Sequence, residues 1–236
     1  MNYFLDTGFS KEQPILNPEE SKHALRSLRL TAGDELTVGD GKGHRYRCIL
    51  TGVDNNLAKL SIEDALEETP PANKLTIGIA PTKTPSRFEW FLEKATELGI
   101  WSIIPIISQH SERPRINDKR ARKIIHAASK QSQRFYIPEL LPLIKLKDIR
   151  LSEYDHVYLA HCNAGYNRSD LMQLLKDSEG TTLILIGPEG DFSVDEIETL
   201  QKNKALDVSL GKNRLRTETA GVYAAAIYSS SIHLMP

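Results

Sequence analysis

The sequence predicts an α/β fold with a mostly parallel sheet, preceded by a small β-barrel. Two observations carry that expectation. Up to about residue 70, short alternating runs are separated by Gly and Asn turns, whereas from Lys74 onward wholly apolar runs alternate with amphipathic stretches at helical spacing. The acidic, proline-containing stretch 63–71 reads as the linker between them, so the expected domains are 1–72 and 73–236. A chain of 236 residues with 40% apolar composition is long enough for two cores.

In the first domain the strands are expected at 35–38 and 45–50, with turns at Gly39 to Gly43 and at Asp54-Asn55-Asn56. One helix interrupts them, because Asn17 suits an N-cap, Pro18 suits the first helical position, and 21–28 continues it. The second domain opens on a strand at 75–80, a helix at 86–98 closed by Gly99, and a strand at 100–107. A helix at 118–133 and a strand at 156–161 follow. Strands at 183–186 and 207–210 flank a helix at 193–203, where Ser193 and Glu196 have capping-box spacing, and an Ala-rich helix at 219–232 ends the series.

Composition narrows the function classes. Cys48 and Cys162 are far apart and neither has a C-x-x-C partner, so neither a metal site nor a disulfide framework is expected. No apolar run approaches the ~20 residues of a bilayer span, and the first residues lack a signal peptide's basic region and cleavage site; a soluble, cytoplasmic protein is expected. Net charge is only -1, yet between His110 and Arg134 eight Lys/Arg stand against two acids. That local basic patch points to an anionic partner.

Two segments carry chemistry. LILIGPEGDF at 183–192 is a buried strand running into a glycine-bounded turn, either a tight strand-to-helix connection or a cofactor loop whose backbone amides approach a ligand. It is neither a Walker loop nor the dinucleotide pattern. VSLGKNRLRTETA at 208–220 is a second strand ending in glycine, where Thr217 or Thr219 suits a helix cap, and Arg214 and Arg216 either face solvent or face a ligand.

KTPSRFEWFLEKATELG at 83–99, AASKQSQR at 127–134, IGPEG at 186–190 and LGKNRLRTETA at 210–220 occur in that order, and on them the chain resembles the RsmE-type ribosomal RNA methyltransferases of the SPOUT superfamily. The resemblance covers nearly the whole chain. It implies a PUA-like amino-terminal barrel, a trefoil-knotted carboxyl-terminal domain, a homodimer, S-adenosylmethionine as cofactor, and methylation of N3 of one uridine in 16S ribosomal RNA of the small subunit. The cofactor-binding residues it implies are Ala160, His161, Gly187, Pro188, Glu189, Gly190, Leu210, Gly211, Leu215, Arg216, Thr219 and Ala220. Two departures stand out: Asp191 replaces the family's usual second glycine, and the arginine-bearing start is missing.

Uridine N3 carries a proton in its neutral form, so methylation needs a base or a stabilising positive charge. Arg216 is the candidate charge and Glu189 or Glu218 the candidate proton acceptor, with Glu189 alternatively serving as an acceptor of backbone N–H groups in its turn. Candidate RNA contacts are Lys22, Arg26 and Arg29, read as a helical stripe that Arg45 and Arg47 extend, together with Lys83, Arg87, Lys94, Gln131 and Arg134. His23 reads as a packed residue. The alternatives are a catalytically degenerate RNA-binding or ribosome-assembly protein of the same fold, a SPOUT enzyme acting on another nucleotide, and, as the weakest, a nucleotide hydrolase.

Overall fold

The computed structural model describes residues 2–176 and 178–232. They form two compact units, one of residues 2–70 with 126–137 and one of the described residues of 71–125 with 138–232.

In the first unit, β1 (Asn2–Leu5), β2 (Glu35–Gly39), β3 (His44–Asp54) and β4 (Leu57–Glu67) pair in that order, β1 parallel to β2 and the rest antiparallel. Tyr46, Cys48 and Leu50 alternate inward from β3 to meet Leu36, Val38, Ala58 and Leu60. Beyond the named strands, Ile15 bridges antiparallel to Lys59 of β4. Residues before β2 help close the core: Phe9, Leu16 and Ala24 are buried in it, the last from the helical segment. That segment is α1 (Pro18–Lys22) followed by a π-helical turn, His23–Ser27, with Asn17 Oδ1 accepting the Glu20 N–H at 2.9 Å as the proposed N-cap. His23 packs edge-on against Phe4.

Two expectations are corrected here. Most of the proposed linker is strand, since β4 runs to Glu67 and sets Asp64 opposite Arg47 and Glu67 opposite His44; cross-strand charge pairing favours this over a free acidic tether. The stripe of Lys22, Arg26 and Arg29 does not hold as one helical row. The π-turn changes the spacing, and Arg29 is left-handed (φ 58), beyond the helix. All three side chains remain exposed. The turn at Asn55 and Asn56 has φ 50 and 63, the left-handed pair of a tight hairpin.

The second unit is built on a parallel sheet. Its strands are β5 (Lys74–Ile79), β6 (Ser102–Ile107), β7 (Glu139–Leu140), β8 (Ile144–Lys145), β9 (His156–Ala160), β10 (Ser169–Asp170), β11 (Thr181–Ile186) and β12 (Leu206–Ser209). Their spatial order is β10-β12-β9-β11-β5-β6-β7, with β8 also on β6. The helices are α2 (Pro85–Glu97), α3 (Asp118–Gln131), α4 (Leu171–Leu175), α5 (Val194–Lys202) and α6 (Thr217–Ile232). Ser193 and Glu196 form the expected capping box on α5. β5 and β11 lie at the sheet centre and are buried from their second residues onward, which explains their mostly apolar sequences. One core lies under α5, where Phe192, Ile197 and Leu200 meet Leu159, Leu183 and Leu185. On another side α6 packs against α2, α4, β5 and β11.

Candidate cofactor pocket

Strands β12, β9 and β11 are adjacent and end together: Ala160 is in register with Ile186 on one side and Val208 on the other. The loops leaving their carboxyl ends therefore converge, which is where parallel sheets place ligands. They enclose a pocket of about 650 Å³, within the range of small-molecule sites. Of the residues expected to bind cofactor, Ala160, His161, Gly187, Pro188, Glu189, Leu210, Gly211, Leu215, Arg216 and Ala220 line it. Gly190 and Thr219 do not. A Cβ on Gly190 would stand 3.0 Å from His110 Cβ, so that glycine permits packing against protein, and Thr219 sits half-buried within α6.

The loop after β11 is fastened to neighbouring strand ends by its own polar groups. Glu189 Oε1 accepts the Lys83 N–H at 3.1 Å, beyond β5. The Gly190 and Asp191 carbonyls each lie 3.1 Å from His110 Nδ1, so that nitrogen carries the ring proton. Asp191 Oδ2 accepts the Cys162 N–H at 2.7 Å, just past β9, and Glu196 Oε1 accepts the Gln109 N–H at 2.8 Å, past β6. From the other side, Thr217 Oγ1 donates to the Gly187 carbonyl at 3.0 Å in a buried bond. Thr217 thus ties α6 to the loop, while Arg216 occupies the cap position, its carbonyl accepting the Ala220 N–H at 2.8 Å. Such clamping holds the pocket in shape before a ligand arrives.

Charge is segregated around the rim. Lys212, Arg214 and Arg216, all exposed, form one wall; Glu189 and Asp191 belong to the opposite loop. Arg168 lines the pocket too and donates to the His161 carbonyl at 2.6 Å. The His161 side chain is fully buried, with Nε2 3.4 Å from Asp207 Oδ1. Burial holds its pKa below the usual imidazole value, opposed by the charges of Asp207 and Asp191.

A family model for an RNA methyltransferase domain matches residues 68–229, and one for an RNA methyltransferase PUA domain matches 16–63. The ribosomal RNA small subunit methyltransferase E of Synechocystis is 31% identical over 216 residues, 89% of this chain and 71% of that protein. The chain belongs to the RsmE family of ribosomal RNA small subunit methyltransferases. Its fold matches the crystal structure of a probable rRNA-methyltransferase from Porphyromonas gingivalis with TM-score 0.85 and 34% identity, over 99% of this chain and 97% of that one. The Neisseria gonorrhoeae ribosomal RNA small subunit methyltransferase E, solved bound to S-adenosyl methionine, matches with TM-score 0.77 and 26% identity over 98% and 97% of the two chains.

Within the family pattern, Asp191 keeps the backbone that its missing glycine would supply. Its φ is 64, a region Asp tolerates better than most residues, and its Oδ1 accepts the Phe192 N–H at 2.8 Å. The loop is therefore shaped around the carboxylate.

The candidate RNA residues fall into three situations. Lys22, Arg26, Arg29 and Gln131 are exposed on the first unit. Arg134 is half-buried there, and burial pulls its pKa down; the neighbouring Arg45 lies 3.6 Å over the Phe135 ring and donates to the Gln133 carbonyl, so Arg45 serves packing more than an open cationic surface. On the second unit, Lys83 pairs with Glu112 at 2.8 Å, Lys94 lies between Glu93 and Glu97 at 2.7 and 2.9 Å, and Arg87 Nε stands 3.7 Å from Glu218. Glu218 is buried and does not line the pocket.

Arg168, Cys162 and Lys212 line the pocket without having been named in advance. Cys162 follows His161 directly and was within reach of the same strand-end argument. Arg168 lies in a loop with no periodic signal, and only the pairing of β10 with β12 brings that loop back.

Proposed function

We propose that this protein methylates N3 of one uridine in the 16S ribosomal RNA of the small subunit, with S-adenosylmethionine held in the strand-end pocket. Family membership makes it an S-adenosylmethionine-dependent ribosomal RNA methyltransferase. The observation that carries the finer reading is the convergence of three motif-bearing loops on one pocket, with Arg216, which has no ion-pair partner among the described residues, at its rim.

The pocket suits the cofactor. Ala160, Leu210, Leu215 and Ala220 give apolar surface, the strand-end backbone gives donors and acceptors, and Lys212 and Arg214 of the basic wall suit the carboxylate of an amino-acid tail. Bound there, S-adenosylmethionine supplies a methyl group already activated on a sulfonium, so the protein's task is positioning and charge. Arg216 has no ion-pair partner among the described residues and supplies positive charge beside the uracil anion formed when N3 loses its proton. Glu189, one oxygen held by the Lys83 N–H, is the assigned proton acceptor.

RNA is gripped through Lys22, Arg26, Arg29 and Gln131 on the first unit and Lys83, Arg87 and Lys94 on the second, with Arg134 positioned by burial. Replacing Arg26 and Arg29 together by alanine is expected to weaken binding of a 16S fragment and reduce the slope of log K against log salt by about 2. Fluorescence anisotropy over a salt series measures it, and an unchanged slope removes this segment from the RNA surface. The same reading includes the trefoil-knotted path and a homodimer, for which exposed Trp90 on α2 and Tyr223 on α6 offer apolar surface. Light scattering should then give twice the 26.5 kDa chain mass. No helix among the described residues is long and apolar enough to cross a membrane.

The test of the function is methylation of small subunits from a strain lacking the mark, followed by nucleoside mass spectrometry. A single 3-methyluridine is expected. Methyl on another atom or another nucleotide would favour the broader SPOUT alternative, and no methyl at all, from folded protein that binds cofactor, would favour the RNA-binding one.

A further inference from the structure

We propose that Asp191 is a specificity-determining residue of the pocket, its carboxylate favouring the cationic methylsulfonium of S-adenosylmethionine over the uncharged thioether that remains after transfer. This rests on the cofactor reading above.

Four observations lead there. Asp191 lines the pocket and is half-buried, whereas Glu189, the other acid of that wall, is exposed. Its position is fixed from both sides, because Oδ2 accepts the Cys162 N–H at 2.7 Å and Oδ1 the Phe192 N–H at 2.8 Å. Two backbone donors use about half the acceptor capacity of a carboxylate, so it is held in place without being saturated. The loop adopts a left-handed residue, φ 64, to present it. Finally, its charge is felt at His161 on the pocket wall, where it opposes the effect of burial.

A pocket with cations along 212–216 and an acid on the facing loop is bipolar, which matches a ligand carrying both a carboxylate and a sulfonium. Methyl transfer to N3 would leave the S–CH3 bonding pair on sulfur, with the N3 proton taken by Glu189, and so turn a cationic ligand into a neutral one. A fixed negative charge at Asp191 would then favour substrate over product. A glycine at this position would form the loop without that discrimination.

Calorimetric titration of wild type and Asp191→Asn with three ligands tests it: S-adenosylmethionine, S-adenosylhomocysteine, and sinefungin, in which a protonated amine replaces the methylsulfonium. Asparagine tolerates the left-handed backbone and keeps one oxygen for a backbone N–H. The variant is expected to bind S-adenosylmethionine and sinefungin about tenfold more weakly, a change of about 1.4 kcal/mol, and S-adenosylhomocysteine within about twofold of wild type. Asp191→Gly, which keeps the left-handed backbone but gives up both clasp bonds, is expected to weaken all three ligands, and S-adenosylmethionine and sinefungin more than S-adenosylhomocysteine. Equal losses for all three ligands would make the carboxylate a loop clasp only and overturn the proposal, as would unchanged affinities in both variants. If folded wild-type protein binds none of the three, the cofactor reading itself fails.

Discussion

Arg216→Ala is expected to slow methyl transfer by about 10² to 10³ while leaving S-adenosylmethionine affinity within a few-fold. Arg216 sits at the cap of α6, where its carbonyl rather than its side chain makes the structural bond, to the Ala220 N–H at 2.8 Å. Its side chain is exposed on the pocket rim and has no ion-pair partner among the described residues, so truncation leaves no buried charge unpaired and stability should change little. The loss should appear in single-turnover rate at saturating cofactor and RNA, because a charge that matters only as the uracil anion forms contributes to the transition state more than to binding. Wild-type turnover by the alanine variant would sink the assignment of Arg216. A loss confined to RNA affinity would turn it into a phosphate contact.

Much of the second unit was legible because its elements declare themselves locally. The apolar runs of β5 and β11, the capping box of Ser193 and Glu196, and the Gly99 stop are each set within a few residues. The strand-end loops were likewise visible as glycine-bearing turns after apolar strands. Their convergence was not, since β12, β9 and β11 lie far apart in sequence and become neighbours only through strand order. The same non-local pairing hid β7, β8 and β10, each two residues long, and brought Arg168 to the pocket. In the first unit the reading of 63–71 as linker failed because acidic composition was weighed without the cationic strand opposite it. Glu189 showed both of its readings in the sequence, and its bond to the Lys83 N–H is the structural one of the two.

Two glycines separate stability from binding, and the larger stability effect is expected at Gly221. A Cβ there would stand 2.6 Å from the Phe91 ring and 2.9 Å from Ile79 Cδ1, and both of those side chains are fully buried. The glycine is what lets α6 lie close on α2 and β5. Gly221→Val must either push α6 outward or drive Phe91 off its rotamer, and overpacking of this kind costs about 3 kcal/mol, with roughly half of that for alanine. A urea titration should show the midpoint fall in that order, valine furthest, and an unchanged midpoint would mean that α6 does not pack as described. Gly211 presents the opposite case: nothing lies within 4 Å of a Cβ, yet its φ of 116 is a region side chains rarely adopt. Gly211→Val should therefore keep the unfolding free energy from the urea titration to within about 1 kcal/mol of wild type while reshaping the loop and weakening S-adenosylmethionine binding by more than about tenfold. If the two variants behaved alike in both assays, the loop after β12 would belong to the core and not to the cofactor pocket.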